Sequence, residues 1–475
     1  MMAVTLAPLC VGGKQITKVE HKEKRMKTSL IILAAGKGTR MNSDLPKVLH
    51  PIAGEAMLIH AMESGRMLEP EHTVVVAGHG ADLVRAAALT HDPDTVVVEQ
   101  TEQLGTAHAV AQARDTLNGF DGMAVVLYGD TPFIQPETLE RMQAALDHHD
   151  VAVLGFDAVD PARYGRLVMA GHTLERIVEF KDASEAERAI TLCNSGVVAA
   201  KSDLLFDLID AVGNDNASGE YYLTDIVGLA RARGLSATAV TCDEAETMGV
   251  NSRADLAIAD AAFQTRARAA LLEDGVTLMA PDTVYLARDT IIGRDTLIEP
   301  NVVFGPGVTV ESGATIRAFS HLEGCHVSRG GIVGPYARLR PGAELAEDVR
   351  IGNFVEIKNA QVAEGAKINH LSYVGDAFVG AGANIGAGTI TCNYDGVMKH
   401  HTHIGARAFI GSNTMLVAPV SIGDGAMTGS GSVITSDVEP DALALARAPQ
   451  VEKPGMARKL FEMLKAKKAR MQRGS

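Results

Sequence analysis

The stretch Ile292-Gly293-Arg294-Asp295-Thr296-Leu297-Ile298-Glu299-Pro300-Asn301-Val302-Val303-Phe304-Gly305-Pro306-Gly307-Val308-Thr309-Val310 puts a large apolar residue at every sixth position, with glycine and other small residues between. The series continues through Ile316 and Leu322. It resumes after a slip as Val333, Leu339, Leu345, Ile351 and Ile357, then returns as Ile404, Ile410, Leu416, Ile422, Thr428 and Ile434. A six-residue period suits neither an α-helix nor a two-sided strand. It suits a parallel β-helix in which each hexapeptide forms one side of a triangular coil, the coils stacking ~4.8 Å apart. About eight coils are expected between Ile292 and Ile434. The repeat fails near Ser328, near Asn369 and across the insertion Cys392 to His403. Such failures often mark loops that carry function.

Ahead of this repeat the texture differs. From Ser29 to about Gly249, short β-branched runs such as Thr73-Val74-Val75-Val76-Ala77, Thr95-Val96-Val97-Val98 and Ala124-Val125-Val126-Leu127 alternate with helical patterns. That alternation describes an α/β domain with a largely parallel sheet, in which ligands bind at the carboxyl ends of strands. The run Leu30 to Met41 ends such a strand in Gly36-Lys37-Gly38, with Lys37, Arg40 and Lys47 near it. Glycines there let backbone N–H groups approach a polyphosphate that the cations neutralise, so the loop points to a nucleotide. The loop lacks the third glycine of a dinucleotide fingerprint and the Gly-Lys-Ser/Thr of a Walker loop. Asp130 lies beyond a second strand end, where it suits a divalent cation and equally a helix cap. Residues 252–273 are rich in Ala, Arg and Leu and read as a connecting helix that Asp274-Gly275 ends.

Composition narrows the function class. The 475 residues suffice for two or three domains, and a net charge of −14 argues against a general nucleic-acid binder. The five cysteines carry no zinc or redox spacing and fit a reducing compartment, and no apolar run is long enough to span a bilayer. A cytoplasmic protein without membrane insertion is expected. Residues 1–25 read as a disordered extension and the basic tail 451–475 as a solvated helix.

Read in order, the motifs Leu33-Ala34-Ala35-Gly36-Lys37-Gly38-Thr39-Arg40-Met41, Leu45-Pro46-Lys47, Gln103-Leu104-Gly105-Thr106, Tyr128-Gly129-Asp130, Tyr164-Gly165-Arg166, Asn194-Ser195-Gly196, Gly219 to Asp225 and Gly249-Val250-Asn251 fill the first half. Arg338-Leu339-Arg340-Pro341-Gly342, Asn353 to Lys358, Asn369-His370-Leu371-Ser372-Tyr373 and Asn384 to Gly396 fill the second. Together, over about residues 29 to 450, they resemble the bifunctional bacterial enzymes that make UDP-N-acetylglucosamine for the cell envelope, uridylyltransferase and acetyltransferase in one chain. The resemblance implies a Rossmann-like nucleotidyltransferase domain (26–250), a linker helix (251–274) and a left-handed parallel β-helix (275–450) that forms homotrimers. It implies glucosamine 1-phosphate, acetyl-CoA and UTP as substrates and Mg2+ as cofactor.

By the same resemblance, Leu33, Ala34, Ala35, Gly36, Arg40, Lys47, Gln100, Gly105, Thr106, Tyr128 and Gly129 hold the nucleotide. Asp130 and Asn251 hold Mg2+, and Gly165, Glu179, Asn194 and Asn251 adjoin the N-acetylglucosamine moiety. Taken alone, Glu179 beside Lys181 and Asp182 is as readily a solvated charge, and Asn194 a turn residue. In the β-helix, His370 becomes the base for acetyl transfer, Arg340, Lys358, Tyr373 and Asn384 hold the sugar phosphate, and Ala387, Asn393, Tyr394, Ser412, Ser430 and Arg447 contact acetyl-CoA. Ser430 departs from the alanine expected there, which a backbone contact would survive. The cluster His400, His401 and His403 suggests a metal, but a solvated loop is the simpler reading. Two alternatives stand beside this one: a single-activity nucleotidyltransferase with a structural β-helix, and a catalytically silent nucleotide-sugar sensor.

Overall fold

The computed structural model describes residues 26–473; the expected extension at 1–25 lies outside them. The chain forms two compact units. The first takes in residues 26–51 and Ala56–Leu256, the second Ile52–Glu55 and residues 257–473.

The first unit is built on a nine-stranded sheet. Its main path runs Ala237–Cys242, Val151–Asp157, Leu192–Lys201, Met123–Tyr128, Thr28–Ala34, His72–Ala77 and Val96–Glu99. Leu192–Lys201 runs antiparallel to both its neighbours on that path, and the other pairings there are parallel. The strand Thr28–Ala34 is buried at every residue. Its side chains alternate between two cores: Ile31 and Leu33 join Val74, Val76 and Val126 on one face, while Leu30, Ile32 and Ala34 join Val75, Ala77 and Val125 on the other. A strand covered on both faces must be apolar throughout, which is why Leu30 to Ala35 reads as an unbroken run. Leu33 pairs with Tyr128, so the loops that begin at Gly36 and Asp130 leave adjacent parallel strands at the same end of the sheet.

The second unit is a parallel β-helix. One ladder of ten strands runs from Thr277–Leu278 to Leu443–Ala444, and the other two faces of the coil are parallel ladders as well. Ile292, Val310, Val327, Leu345, Val362, Val379, Ile404 and Ile422 follow one another in register, one per coil. Every residue of the six-residue series is buried, Thr428 included. The Thr428 hydroxyl accepts the Gly411 N–H at 3.0 Å, which lets a threonine occupy an apolar position.

The failures of the repeat have a simple form. Near Ser328, Leu322 is followed by buried Val327 after five residues rather than six. The failure near Asn369 is a pair of shortenings on either side of it, Ile357 to Val362 and Val374 to Val379. Each shortened corner turns through a residue of positive φ, Gly324 at 52°, Asn359 at 44° and Asp376 at 46°. The insertion after Cys392 is a loop closed by an antiparallel bridge between Tyr394 and Lys399. Within it His400 pairs with Asp395 at 2.7 Å, and His403 stacks on Phe378 with centroids 5.0 Å apart. Among the described residues no group of three or more His, Cys, Asp or Glu side chains is placed to hold a metal.

The helix Arg253–Glu273 buries Gln264, whose carboxamide donates to Leu286 O at 2.8 Å and accepts Leu286 N–H at 2.9 Å. Ile52–Glu55 joins the same unit through Ala53, whose N–H is held by Asp260 at 2.8 Å and whose carbonyl accepts Arg288 N–H at 2.8 Å. The tail ends in the helix Met456–Arg473, exposed from Met456 to Gln472.

Candidate active sites

In the first unit the strand ends open into a cavity of about 340 Å³. Leu33, Ala34, Ala35, Gly36, Lys47, Gln100, Gly105, Thr106, Tyr128 and Asp130 line it, as do Val48, Gln103, Ala109 and Glu220. Two of the expected nucleotide contacts lie off this wall. Arg40 is exposed in the short turn Thr39–Met41, and Gly129 spends its N–H on Leu33 O at 3.0 Å. Val48 and Ala109 were not expected, because an aliphatic residue carries no signature that separates cavity wall from core.

The loop after the first strand takes its shape from Gly38. It has φ +57°, and a Cβ there would stand 2.5 Å from Lys47 Cβ. That close approach seats Lys47, whose ammonium donates to the Asp130 carboxylate and to Asn251 Oδ1, the latter at 3.1 Å. Asn251 is fixed in turn: its N–H binds Asp255 Oδ2 at 3.0 Å, and the preceding N–H of Val250 binds Asp130 O at 2.9 Å. Lys47, Asp130 and Asn251, far apart in sequence, thus form one polar cluster.

The residues expected around the sugar also meet. Asn194 N–H donates to Gly165 O at 2.8 Å, and a Cβ on Gly165 would lie 3.4 Å from Glu179 Oε1. Glu179 accepts the Thr224 hydroxyl at 3.2 Å. Burial first, then the charges of Asp182 and Asp225, raise its carboxyl above the ordinary range, and the Thr224 bond opposes them. Tyr128 titrates far above a free phenol for the same leading reason, burial, with Asp130 and Glu179 adding to it. Arg166 has a scaffolding role: its guanidinium binds the carbonyls of Pro161, Ala162, Tyr164 and Arg188 and so shapes the loop that carries Gly165.

In the second unit His370 ends the strand Lys367–His370 and pairs in register with Asn353 one coil earlier. The ring Nδ1 lies 2.8 Å from Asn353 Oδ1. A carboxamide oxygen only accepts, so Nδ1 carries a proton, and in the neutral ring the lone pair is on Nε2. Close register depends on Gly352, since a Cβ there would stand 1.9 Å from Asn369 O.

Cations gather on the neighbouring ladder. Arg340 binds Glu356 at 2.9 Å, and Glu356 pairs in register with Tyr373. Lys358 titrates below an ordinary lysine because Lys399 is within hydrogen-bonding reach and adds like charge, as Arg340 does from farther off. Asp376 stands under them. Burial would raise its carboxyl, but the amides of Asn359 and Asn393 and the charges of Lys399 and Lys358 hold it below the usual value. Lys399 and Asn353 are additions to the expected set. Asn353 sat inside a motif already singled out, and Lys399 in the insertion that broke the repeat.

The remaining residues fall in two places. Ala387, Ser412 and Ser430 follow one another on successive coils, for Asn413 N–H binds Ala387 O at 2.7 Å and Gly431 N–H binds Ser412 O at 2.8 Å. Arg447 donates to Ser430 O at 2.7 Å, which ties the two expected positions together through the backbone. Asn384 starts the strand Asn384–Ile385, in register with Lys367. Asn393 is buried, its amide on Asp376 and 3.5 Å from Tyr373 Oη, whereas Tyr394 beside it is exposed.

Comparison with known proteins agrees with both halves. The MobA-like NTP transferase domain matches residues 30–195, and the bacterial transferase hexapeptide, six repeats, matches 289–324 and 401–436. The bifunctional protein GlmU of Roseobacter denitrificans is 72% identical over 95% of this chain and 100% of its own length. That of Ruegeria pomeroyi is 74% identical over 94% of this chain and 100% of its own, and that of Paracoccus denitrificans 64% identical over 93% and 98%. With identity this high along almost the whole of both chains, this protein belongs to the GlmU family of bifunctional proteins.

Proposed function

We propose that the cavity of the first unit transfers uridylyl groups and that the His370 face of the second transfers acetyl groups, the two steps of UDP-N-acetylglucosamine synthesis. The chain is a bifunctional transferase, with a nucleotidyltransferase domain and a left-handed parallel β-helix of the acyltransferase type. Acetyl transfer comes first. The 2-amino nitrogen of glucosamine 1-phosphate attacks the thioester carbonyl of acetyl-CoA, His370 Nε2 takes the amine proton, and the C–S bond breaks to release CoA. Asn353 holds the imidazole in the tautomer this needs. Arg340, Lys358 and Lys399 bind the sugar phosphate, Tyr373 and Asn384 orient the sugar, and the column Ala387, Ser412 and Ser430 with Tyr394 and Arg447 receives acetyl-CoA.

In the second step a phosphate oxygen of N-acetylglucosamine 1-phosphate attacks the α-phosphorus of UTP and pyrophosphate leaves. That phosphate is already ionised near neutral pH, its second pKa being ~6, so no protein base is needed. Asp130 and Asn251 fit Mg2+, because two hard oxygen donors converge on the single cation now supplied by Lys47. When bound, Mg2+ neutralises phosphate charge and orients the reacting groups. Lys47 then serves the phosphates, while Gly165, Glu179 and Asn194 frame the sugar and Leu33 to Gly36 and Gln100 to Thr106 the nucleoside. We further propose a homotrimer in the cytoplasm. No described helix is long and apolar enough to cross a membrane.

One observation favours two activities over a structural β-helix: the second unit carries its own anion site, Lys358 beside Lys399, on coils adjoining an oriented histidine. The test follows CoA and pyrophosphate separately from glucosamine 1-phosphate, acetyl-CoA, UTP and Mg2+. Wild type yields both, and His370→Ala yields pyrophosphate only when N-acetylglucosamine 1-phosphate is supplied. Pyrophosphate without CoA from the wild type would leave the β-helix a scaffold.

A further inference from the structure

Uracil and cytosine differ where the base pairs. Uracil offers an N3–H donor and an O4 acceptor, whereas cytosine offers an N3 lone pair and an N4 amine. A site that reads uracil must therefore present an acceptor to N3 and withhold a donor from it. Gln100, on the cavity wall and 5% exposed, carries a carboxamide able to present either.

Its surroundings decide which. Gln100 Nε2 donates one hydrogen to Gly105 O at 3.0 Å and lies 3.0 Å from His108 Nδ1. The helix Thr106–Ala111 brings His108 there, and Gln112 lies at its other edge. The Gln112 amide donates to His108 O at 2.9 Å and sits 3.3 Å from His108 Nε2. A neutral imidazole has one ring lone pair. The shorter contact takes it, so Nδ1 accepts from Gln100. Both amide hydrogens of Gln100 are then consumed inside the protein, and Oε1, which accepts no hydrogen bond among the described residues, is the only polar side-chain atom Gln100 leaves to the cavity.

We propose that His108 is a positioning residue for pyrimidine choice: by accepting the second amide hydrogen of Gln100, it turns that side chain into an acceptor-only reader of the base. The Gly105 carbonyl alone would leave one N–H free to serve the N3 of cytosine. His108 touches no substrate and acts through Gln100 alone. The inference rests on the reading of the cavity as the uridylyl-transfer site.

The experiment compares kcat/KM for UTP and CTP with N-acetylglucosamine 1-phosphate and Mg2+ in wild type, His108→Leu, His108→Asn and Gln100→Leu. Asparagine places an oxygen acceptor on Cγ where histidine has Nδ1, so it rescues a role that is acceptance and not bulk. The preference for UTP over CTP falls about tenfold in His108→Leu and stays within about twofold of wild type in His108→Asn. Gln100→Leu loses the preference as well. An unchanged preference in His108→Leu, with Gln100→Leu impaired, overturns the role of His108 and leaves the site reading intact. Equal loss in the leucine and asparagine variants overturns acceptance as its basis. An unchanged preference in Gln100→Leu overturns the placement of the base itself. Should the leucine variant lose turnover, calorimetric affinities for UTP and CTP supply the same ratio.

Discussion

The two candidate sites lie in opposite surroundings. The first is a cavity among loops that leave the ends of parallel strands, and burial is the leading cause of shift at both Tyr128 and Glu179. The second lies on the outside of a coil, where His370 is exposed and Lys358 is shifted chiefly by a neighbouring ammonium rather than by burial. A cavity gains selectivity by withholding water from a few polar groups, so its errors appear as unpaired groups. A coil surface gains precision from ladder register, so its errors appear as displaced side chains.

The largest test of this contrast is reciprocal. His370→Ala should lower acetyl transfer by roughly a thousandfold and leave uridylyl transfer from supplied N-acetylglucosamine 1-phosphate unchanged. Asp130→Ala should do the reverse by a comparable factor, through loss of the charged ligand that would hold Mg2+. Separate assays of CoA and pyrophosphate read both. Loss of both activities in either variant would mean that the two sites are coupled and do not work independently.

Register gives the next effect. Gly352→Ala puts a Cβ 1.9 Å from the backbone oxygen of Asn369, the residue before His370, and beside the Asn353 that orients it. Neither backbone can yield without opening the ladder, so acetyl transfer should fall about a hundredfold at unchanged uridylyl transfer. Asn353→Ala keeps the ladder but frees the imidazole tautomer, and should cost acetyl transfer about tenfold in kcat with little change in KM. An Asn353→Ala loss as large as that of Gly352→Ala would mean that orientation, not register, limits the site.

The same contrast explains what the sequence made legible. The β-helix was readable because one buried residue per six must be apolar or, like Thr428, hydrogen-bonded, and that constraint writes itself along the chain. The run Val362, Ile368, Val374, Val379 and Ile385 escaped the count because two corners are shortened by one residue, and a strict period loses phase there. These two corners bear Asn359 and Asp376, which hydrogen-bond each other beside Lys358 and Lys399, so two of the three shortened corners coincide with the candidate anion site. Most of the cavity wall was legible through glycines and polar residues in named motifs; Val48 and Ala109 were not. The recruitment of Ile52–Glu55 by the second unit depends on two backbone hydrogen bonds at Ala53 and leaves no trace in composition.

The smallest effect sets function against stability inside the cavity. Glu179 is desolvated and faces Asp182 and Asp225, with only the Thr224 hydroxyl in compensation, so its folded-state pKa lies above its unfolded value. Below the unfolded value both states are protonated and the side chain carries no ionic penalty. As pH rises past it, the unfolded chain ionises more readily, and the fold loses stability. Glu179→Gln removes that ionisation at constant shape. It should therefore raise the unfolding temperature of the first unit at pH 7 by a few degrees and have no such effect at pH 3. The same change should weaken N-acetylglucosamine 1-phosphate binding several-fold, because a carboxylate that accepts sugar hydroxyls becomes an amide. Thermal unfolding at the two pH values and KM for the sugar phosphate measure both. A gain in stability without a rise in KM would mean that Glu179 is a buried charge of the fold and not part of the sugar site.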